Sequence, residues 1–188
     1  MKVYIGEIGS PAGLLAFAVG EDGALVRLHF VESDYGPVMI EDLEAEGYAV
    51  ETDETKTAGV RRELSEYTNG DRRTFDVPLA FAGSEWQKAV WTELTRIPFG
   101  ETRSYGEIAD ALGRPGAARA VGSANARNVL PVVVPCHRVI AADGTLGGFN
   151  GGLHLKERLL EHETKVLAAA TRRCAWRCAA SASAVVLH

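Results

Sequence analysis

Cysteine, long apolar runs and excess positive charge are all scarce in this sequence of 188 residues. Its three cysteines are an odd number without the spacing of a disulfide framework, which is typical of free thiols in a reducing compartment. The longest nearly apolar run, 129–136, is far too short for a membrane-spanning helix and contains two prolines. The N-terminus does not have the pattern of a secretory signal. These absences predict a cytoplasmic protein without a membrane segment.

What is present is the composition of a folded domain. Hydrophobic residues make up 46% of the chain, charged residues 24%, and the mean hydropathy is -0.04. These values exclude a disordered chain and a collagen-like repeat. The length suits one domain of ordinary size or two small ones.

The net charge of -5 is unevenly distributed. Residues 1–80 hold seven basic and sixteen acidic side chains, whereas residues 81–165 hold ten basic and nine acidic side chains. Within the second part, 103–127 is locally basic, with four Arg against two acidic residues. An acidic N-terminal half is most simply a solvated surface, and charge alone does not decide whether 103–127 binds nucleic acid.

The first third of the chain has strand signals followed by a helix signal. Three short apolar runs, 3–8, 14–19 and 24–30, are separated by Gly-containing turns and predict an antiparallel sheet. A helix is predicted over 56–68, where Val60, Leu64 and Tyr67 share a face and Asn69-Gly70 follows. We therefore expect an α/β domain over 1–75.

The rest of the chain predicts a mostly helical domain over 81–165. Capping boxes begin helices at Ser84 and Ser104, and a small-residue helix over 117–126 follows a Gly-rich turn. This outline is that of a helix-turn-helix, although helical hairpins in ordinary cores share it. The β-branched run 129–134 predicts a buried strand, a final helix covers 153–163, and 166–188 resembles an appended tail.

One cluster of residues predicts chemistry. Cys136 follows an apolar run and a proline, with His137 beside it and Glu163 at the end of the final helix. A lone buried Cys is usually only a small apolar side chain. A His oriented by a carboxylate, acting through an ordered water, would instead raise the thiolate fraction of the cysteine.

The run Pro135-Cys136-His137-Arg138-Val139-Ile140 resembles the active-site signature of the O6-alkylguanine-DNA alkyltransferases, also called methylated-DNA–protein-cysteine methyltransferases. The resemblance extends over about 81–165, in the family's order and spacing. It includes Phe99-Gly100-Glu101, Ser104-Tyr105, Ala118-Arg119-Ala120-Val121-Gly122, Asn128, Gly151-Gly152-Leu153, Lys156-Glu157, Leu159-Leu160 and His162-Glu163. The N-terminal part resembles the family's variable α/β domain only in size and layout, for which we expect a ribonuclease-H-like arrangement.

The resemblance implies roles for individual residues. Cys136 would be the nucleophile that takes an alkyl group from guanine O6, once the base has been flipped out of the duplex. Arg119 would fill the vacated space in the DNA, and Tyr105 would act on guanine N3. The implied catalytic set is Cys136, His137, Glu163, Asn128 and Tyr105; the DNA-binding set is Arg119, Tyr105, Ser104, Ala120, Ser123 and Arg127; and the pocket set is Val139, Phe149, Asn150 and Tyr105.

Two positions depart from the family's pattern. Val129 stands where a proline usually follows the asparagine, and Phe149 stands where the pocket often has tyrosine. The first makes the turn after Asn128 less rigid, and the second removes a hydroxyl from the pocket. Neither is the nucleophile.

The resemblance implies a monomer that needs no cofactor and acts on double-stranded DNA carrying O6-alkylguanine and, less well, O4-alkylthymine. Two alternatives stay open: a lesion-sensing or regulatory DNA-binding module without chemistry, and a cysteine hydrolase with a Cys-His-Glu site. Cys174 and Cys178 have no convergent partners in the sequence, so no metal site is predicted there. The range of alkyl groups and the role of 166–188 are not fixed by the sequence.

Overall fold

The computed structural model describes residues 1–32 and 38–183, with side chains for 1–32 and 39–172. A four-stranded sheet comes first, in the spatial order β3-β2-β1-β4. Its strands are β1 (Lys2–Ser10), β2 (Gly13–Gly20), β3 (Leu25–Phe30) and β4 (Ala49–Glu51). β1 to β3 pair antiparallel as predicted, but β4 pairs with β1 in parallel, so the expectation of a purely antiparallel sheet is wrong.

The parallel strand is made possible by a helix that the sequence did not predict. Helix α1 (Val38–Ala45) carries the chain back along the sheet before β4 begins. The central strand β2 is buried on both faces, because alternate residues enter different clusters. Leu15 and Phe17 belong to the main core, and Ala16 packs with Met39 of α1.

Helix α2 (Glu54–Asn69) covers the other face of the sheet and matches the predicted helix within two residues at each end. Asp53 caps its N-terminus by accepting the N–H groups of Thr55 and Lys56. Gly70 ends it in the left-handed region, at φ 79°. The predicted apolar face is buried, including Tyr67, which is fully buried.

The second half is helical as expected, with α3 (Glu85–Leu94), α4 (Tyr105–Ala111) and α5 (Ala118–Ala126). Both predicted capping boxes are present. Ser84 Oγ accepts the N–H of Gln87, Ser104 Oγ accepts the N–H of Glu107, and each partner side chain accepts the serine N–H in return. Helices α4 and α5 pack on each other and on α3.

The strand predicted over 129–134 is wrong. The segment is a series of turns, because Pro131 and Pro135 cannot donate to a strand ladder. Val132 takes the left-handed backbone region, at φ 73°, which is strained for a β-branched residue. The turns lead into a 3-10 helix, Cys136–Arg138, and then into the short strand β6 (Val139–Ile140), which pairs in parallel with β5 (Arg103–Ser104).

The final helix, α6 (Leu153–Ser183), does not stop near Glu163. Residues beyond 165 continue it, so the predicted end of this helix at 163 is wrong. Val166 and Leu167 pack closely: a Cβ on Gly70 would lie 2.7 Å from Val166 Cγ2, and one on Gly100 would lie 2.2 Å from Leu167 Cδ1. These two glycines therefore permit the helix to lie against both halves of the protein.

One main hydrophobic core runs through both halves. It contains residues of β2, β3 and α2 together with residues of α3, α4, α5 and α6. The backbone joins the halves too, since Leu28 N–H donates to Val129 O at 2.9 Å and Leu25 N–H donates to Pro78 O at 2.8 Å. Among the described residues, no helix is both long and apolar enough to cross a membrane.

Candidate active site

Cys136 is the first residue of the 3-10 helix and is 4% exposed. Burial raises the pKa of its thiol to about 11, although the side chain of Asn128 and the charge of Lys156 act in the other direction. The thiol is therefore neutral in the resting protein at neutral pH. The sequence-based expectation of a raised thiolate fraction is wrong for this state, because burial outweighs the neighbouring polar groups.

The predicted partners of Cys136 do come together. His137 Nε2 lies 2.8 Å from Glu163 Oε1, and both side chains are fully buried. Burial lowers the pKa of His137 below its ordinary value, although Glu163 raises it. Because Glu163 is an acceptor, Nε2 carries the proton of the neutral ring and Nδ1 is left with a lone pair. Among the described residues Nδ1 has no hydrogen-bond partner.

Arg138 holds Glu163 ionised, a role that sequence reasoning missed. Its Nε donates to Glu163 Oε2 at 3.0 Å and its Nη2 donates to Oε1 at 2.9 Å, while Nη1 donates to Ile97 O at 2.7 Å. Burial would raise the pKa of Glu163, but His137 and Arg138 hold it at about 2. The signal in the sequence was the arginine directly after His137 in the motif, because an arginine there can pair with a buried carboxylate.

Tyr67 was predicted only as a core residue of α2, but it also enters the site. Its hydroxyl donates to Glu163 Oε1 at 2.9 Å, in a buried hydrogen bond that joins α2 to α6. Gly100 N–H donates to Glu163 Oε2 at 2.7 Å, so both carboxylate oxygens are well supplied with donors. A phenol on an otherwise apolar helix face was the only signal in the sequence.

Asn128 closes the turns before Cys136. Its Nδ2 donates to Val134 O at 2.9 Å, and its Oδ1 accepts Leu130 N–H at the same distance. These two bonds replace the ladder that a strand over 129–134 would have had. Val129, in place of the family's usual proline, uses its carbonyl to accept Leu28 N–H.

Lys156 is fully buried on α6, two turns before Glu163, and is the third residue whose position sequence reasoning did not predict. Its Nζ donates to Val139 O and to Leu146 O, which ties the strand after the 3-10 helix to the loop before α6. Burial lowers the pKa of Lys156 to about 8, and the nearby Cys136 acts against that shift.

Three of the predicted pocket residues, Tyr105, Phe149 and Asn150, line one or both of two neighbouring cavities. One, of about 230 Å³, is lined by Cys136, Phe149 and Asn150 together with residues of β3 and α1. The other, of about 570 Å³, is lined by Tyr105, Arg119, Phe149 and Asn150 on the α5 side. The fourth, Val139, is buried and is not among the lining residues of either cavity; its carbonyl accepts the Lys156 hydrogen bond.

Tyr105 is half-buried at the second cavity. Its hydroxyl donates to Gly148 O at 3.4 Å, a long hydrogen bond, and its ring packs against Gly147 and Gly122. Burial, followed by the nearby Cys136, raises the pKa of its phenol. The hydroxyl therefore keeps its proton at neutral pH and can donate it.

The predicted DNA-binding residues lie on or next to α4 and α5. Arg119, Ala120, Ser123 and Arg127 are exposed on or at the end of α5. Ser104, at the start of α4, is engaged as a helix cap, because its Oγ donates to Glu107 Oε2 at 2.7 Å and accepts Glu107 N–H at 3.2 Å. The exposed side chains between Arg119 and Arg127 are all small, so the α5 backbone can approach a partner closely.

In the described part of the chain, no group of three or more His, Cys, Asp or Glu side chains is placed to hold a metal ion. The side chains of Cys174 and Cys178 lie outside the described residues, so the prediction concerning them stays untested.

Comparisons with known proteins agree with this site. Residues 85–165 match the family model for the 6-O-methylguanine DNA methyltransferase, DNA binding domain. A methylated-DNA–protein-cysteine methyltransferase of Mycolicibacterium paratuberculosis is 46% identical over 159 residues, which cover 84% of this chain and 90% of that protein. One of Shigella flexneri is 41% identical over 167 residues, covering 86% of this chain and 95% of that protein.

Solved structures give the same result at the level of the fold. The O6-methylguanine methyltransferase of Mycobacterium tuberculosis superposes with a TM-score of 0.74 at 42% identity, covering 87% of this chain and 93% of that one. The structure of Mycobacterium tuberculosis OGT in complex with DNA superposes with a TM-score of 0.75 at 40% identity, covering 87% and 94%. On the sequence identity, the coverage and the shared fold, this chain belongs to the methylated-DNA–protein-cysteine methyltransferase family.

Proposed function

We propose that this chain repairs DNA by transferring the alkyl group of O6-alkylguanine, and less well of O4-alkylthymine, to Sγ of Cys136. The observation that carries the proposal is the buried thiol at a cavity wall, followed directly by a neutral His137 whose Nδ1 lone pair is free. The names of the relatives support the same reaction. The chain would act as a monomer in the cytoplasm without a cofactor.

The α4–α5 pair would bind DNA as a helix-turn-helix, with α5 in the minor groove. The exposed small residues of α5 support close approach to the groove, and Arg119 is placed to occupy the space that the flipped base leaves. The base would enter through the cavity lined by Tyr105 and Arg119 and meet Cys136, which lines the adjoining 230 Å³ cavity. Phe149 would stack on the base, and backbone groups of Val139 and Asn150 would hold its edge.

In the transfer step, the thiol proton would pass to His137 Nδ1 through a bridging water. Glu163, held ionised by Arg138, would stabilise the imidazolium that forms. The new S–C bond forms in line as the C–O6 bond breaks, and guanine leaves with a proton supplied at N3 by Tyr105. Solvent then returns a proton to the Tyr105 phenolate and takes one from the His137 imidazolium, and guanine exchanges its N3 proton for one at N1. The products are a thioether on Cys136 and an unmodified guanine, with atoms and charge balanced.

Each chain would act once. A thioether carbon has no electrophilic carbonyl for water to attack, and an alkyl thiolate is a poor leaving group. His137, Glu163 and Tyr105 have no means of reversing that bond.

The division of the chain into domains stays a prediction. It comprises an α/β domain over 1–75, a DNA-binding and active-site domain over 81–165 and a terminal segment over 166–188. The ribonuclease-H-like layout of the first domain is likewise a prediction.

The test is a titration of duplex carrying one O6-methylguanine against a known amount of protein. Repair should reach a plateau near one lesion per chain, and mass spectrometry should find one methyl group on Cys136. The Cys136→Ser variant should still bind the duplex but transfer nothing. Repair beyond several equivalents would favour a hydrolase, and lesion binding without transfer by the unaltered chain would favour a sensing module.

A further inference from the structure

The cavity at Cys136 extends away from the DNA-binding side. The 230 Å³ cavity is bounded by the first half of the chain, through Phe30 of β3 and Met39 of α1. It shares three walls, Asn125, Phe149 and Asn150, with the cavity on the side of Tyr105 and Arg119. If the base enters from that side, the atoms of an alkyl group beyond its first carbon have the 230 Å³ cavity available to them.

Asn125 has a polar side chain although its position in α5 is buried. It lies on the buried face of α5 and is 4% exposed. Its Oδ1 is completely buried, yet it accepts no hydrogen bond from any residue that the structure describes. A buried amide oxygen without a donor is costly in a folded protein, so such atoms usually serve a ligand or hold a water. Asn125 lines both cavities, which places this acceptor next to the path of the substrate.

A second polar atom at the same cavity is a hydrogen-bond donor rather than an acceptor. Arg27 Nε is buried and lacks an acceptor among the described residues, while its Nη2 donates to Glu46 Oε1 at 2.6 Å. Asp42 also lines this cavity and is exposed. The cavity therefore offers one acceptor, one cationic donor whose charge is paired with Glu46, and the negative charge of Asp42, which is unpaired among the described residues. Phe30, Met39 and Phe149 add apolar surfaces.

We propose that this cavity is the subsite for the alkyl chain and that Asn125 Oδ1 selects hydroxyalkyl adducts over apolar adducts of the same length. The proposal rests on the proposed function, since it concerns which O6-alkylguanines that reaction accepts. A neutral hydroxyl donates to Asn125 Oδ1 and keeps lone pairs for a donor such as Arg27 Nε–H. A carboxylate does not suit the site, because Asn125 Oδ1 and Asp42 would both repel it.

The selection follows from what each adduct does to the acceptor. A hydroxyl at the end of the adduct supplies the hydrogen bond that Asn125 Oδ1 lacks among the described residues, whereas a methyl group leaves the oxygen buried without a donor. Sites with a polar group that needs a partner reject analogues lacking one. One neutral hydrogen bond corresponds to a preference of about three- to tenfold.

The experiment compares O6-(2-hydroxyethyl)guanine with O6-propylguanine in the same duplex, with O6-methylguanine as the third substrate. The measured quantity is the ratio of the single-turnover rate constants for hydroxyethyl and propyl transfer. The Asn125→Leu variant should lower this ratio by about three- to tenfold. Comparing ratios cancels both the intrinsic reactivity of the two adducts and any general loss of activity.

Two further variants make the result specific. Asn69→Leu makes the same substitution at the exposed end of α2 and should leave the ratio unchanged. Asn125→Ala removes the acceptor without adding volume and should lower the ratio as Asn125→Leu does, which covers the case in which leucine disturbs the packing of α5.

An unchanged ratio in both Asn125 variants would overturn the selection, and so would preferential transfer of O6-carboxymethylguanine by the unaltered chain. Failure of the unaltered chain to transfer even the methyl group would instead contradict the proposed function. Methyl transfer without hydroxyethyl or propyl transfer would contradict the assignment of the cavity as the alkyl subsite.

Discussion

At Cys136, burial and the neighbouring polar groups act on the thiol in opposite directions, and burial is the larger effect. A pKa of about 11 leaves the sulfur protonated and weakly nucleophilic until a substrate arrives. A protein that can react only once benefits from this arrangement, because stray electrophiles in solution meet a neutral thiol. The proton acceptor, His137 Nδ1, is close by in sequence and is free to act when the substrate fills the site.

Modification of native Cys136 by iodoacetamide should therefore depend strongly on pH. Only the thiolate reacts, so the rate should be very low at neutral pH and should rise as the pH approaches about 11. Peptide mass spectrometry measures Cys136 separately from Cys174 and Cys178. In urea-unfolded protein the midpoint should fall to the ordinary value near 9.0. A native midpoint at or below that value would contradict the effect of burial.

The element that sets Cys136 in place is the loop over 129–135, and its main support is one side chain. Asn128→Ala should lower the free energy of unfolding by about 2–4 kcal/mol, because Leu130 N–H and Val134 C=O lose their buried partner. Transfer should also slow, since Asn128 lowers the pKa of Cys136. Urea unfolding and single-turnover assays measure the two effects.

The matched control for this loop is Asn69→Ala at the exposed end of α2. It should change the unfolding free energy by no more than about 0.5 kcal/mol. Equal losses in the two variants would mean that the Asn128 bonds do not support the loop.

Helix α5 carries the prediction that concerns DNA. Arg119→Ala should slow transfer from duplex DNA by about tenfold or more, because flipping a paired base costs a few kcal/mol. Reaction with the free base O6-methylguanine needs no flipping and should change little. Arg62→Ala, which removes an exposed arginine from α2, is the control for charge. Equal slowing on both substrates would contradict the role of Arg119 in base flipping.

Short-range signals were sufficient for some of these elements and not for others. The capping boxes at Ser84 and Ser104 and the end of α2 at Gly70 are local, and they were predicted correctly. The run 129–134 has the composition of a strand, but its conformation is decided by two prolines and by hydrogen bonds from Asn128. The end of α6 was missed because its packing partners, Gly70 and Gly100, are distant in sequence.

Some residues of the candidate site could likewise be predicted from the sequence, and others could not. Cys136, His137 and Glu163 were predicted to come together from the motif and the final helix, and the structure places His137 and Glu163 in direct contact. Tyr67 could not be assigned to the site, because nothing in the sequence indicates that α2 packs beside α6. The protonation of Cys136 was mispredicted for a related reason, since burial depends on the whole fold.

At the scale of the whole molecule, Tyr67 connects the two halves through the reacting site. Tyr67→Phe removes one hydrogen bond to Glu163 and should cost about 1 kcal/mol of unfolding free energy. Transfer should slow by about three- to tenfold, because Glu163 orients His137 less firmly. Both are measured well below the unfolding temperature, with Tyr4→Phe on β1 as the control. Unchanged transfer in Tyr67→Phe would mean that the first half only supports the fold.

The main core is continuous through both halves, so a disturbance at one point affects the stability of the entire chain. An alkyl group left on Cys136 adds volume at the edge of this core and disturbs the buried contact between the thiol and Asn128, and changes of this kind typically cost about 1–3 kcal/mol. In cells, losses of this size change the abundance of a protein several-fold, because unfolded molecules are continually degraded. A used molecule would thus be recognisable by its shorter lifetime alone, and repair capacity would depend on the rate of new synthesis.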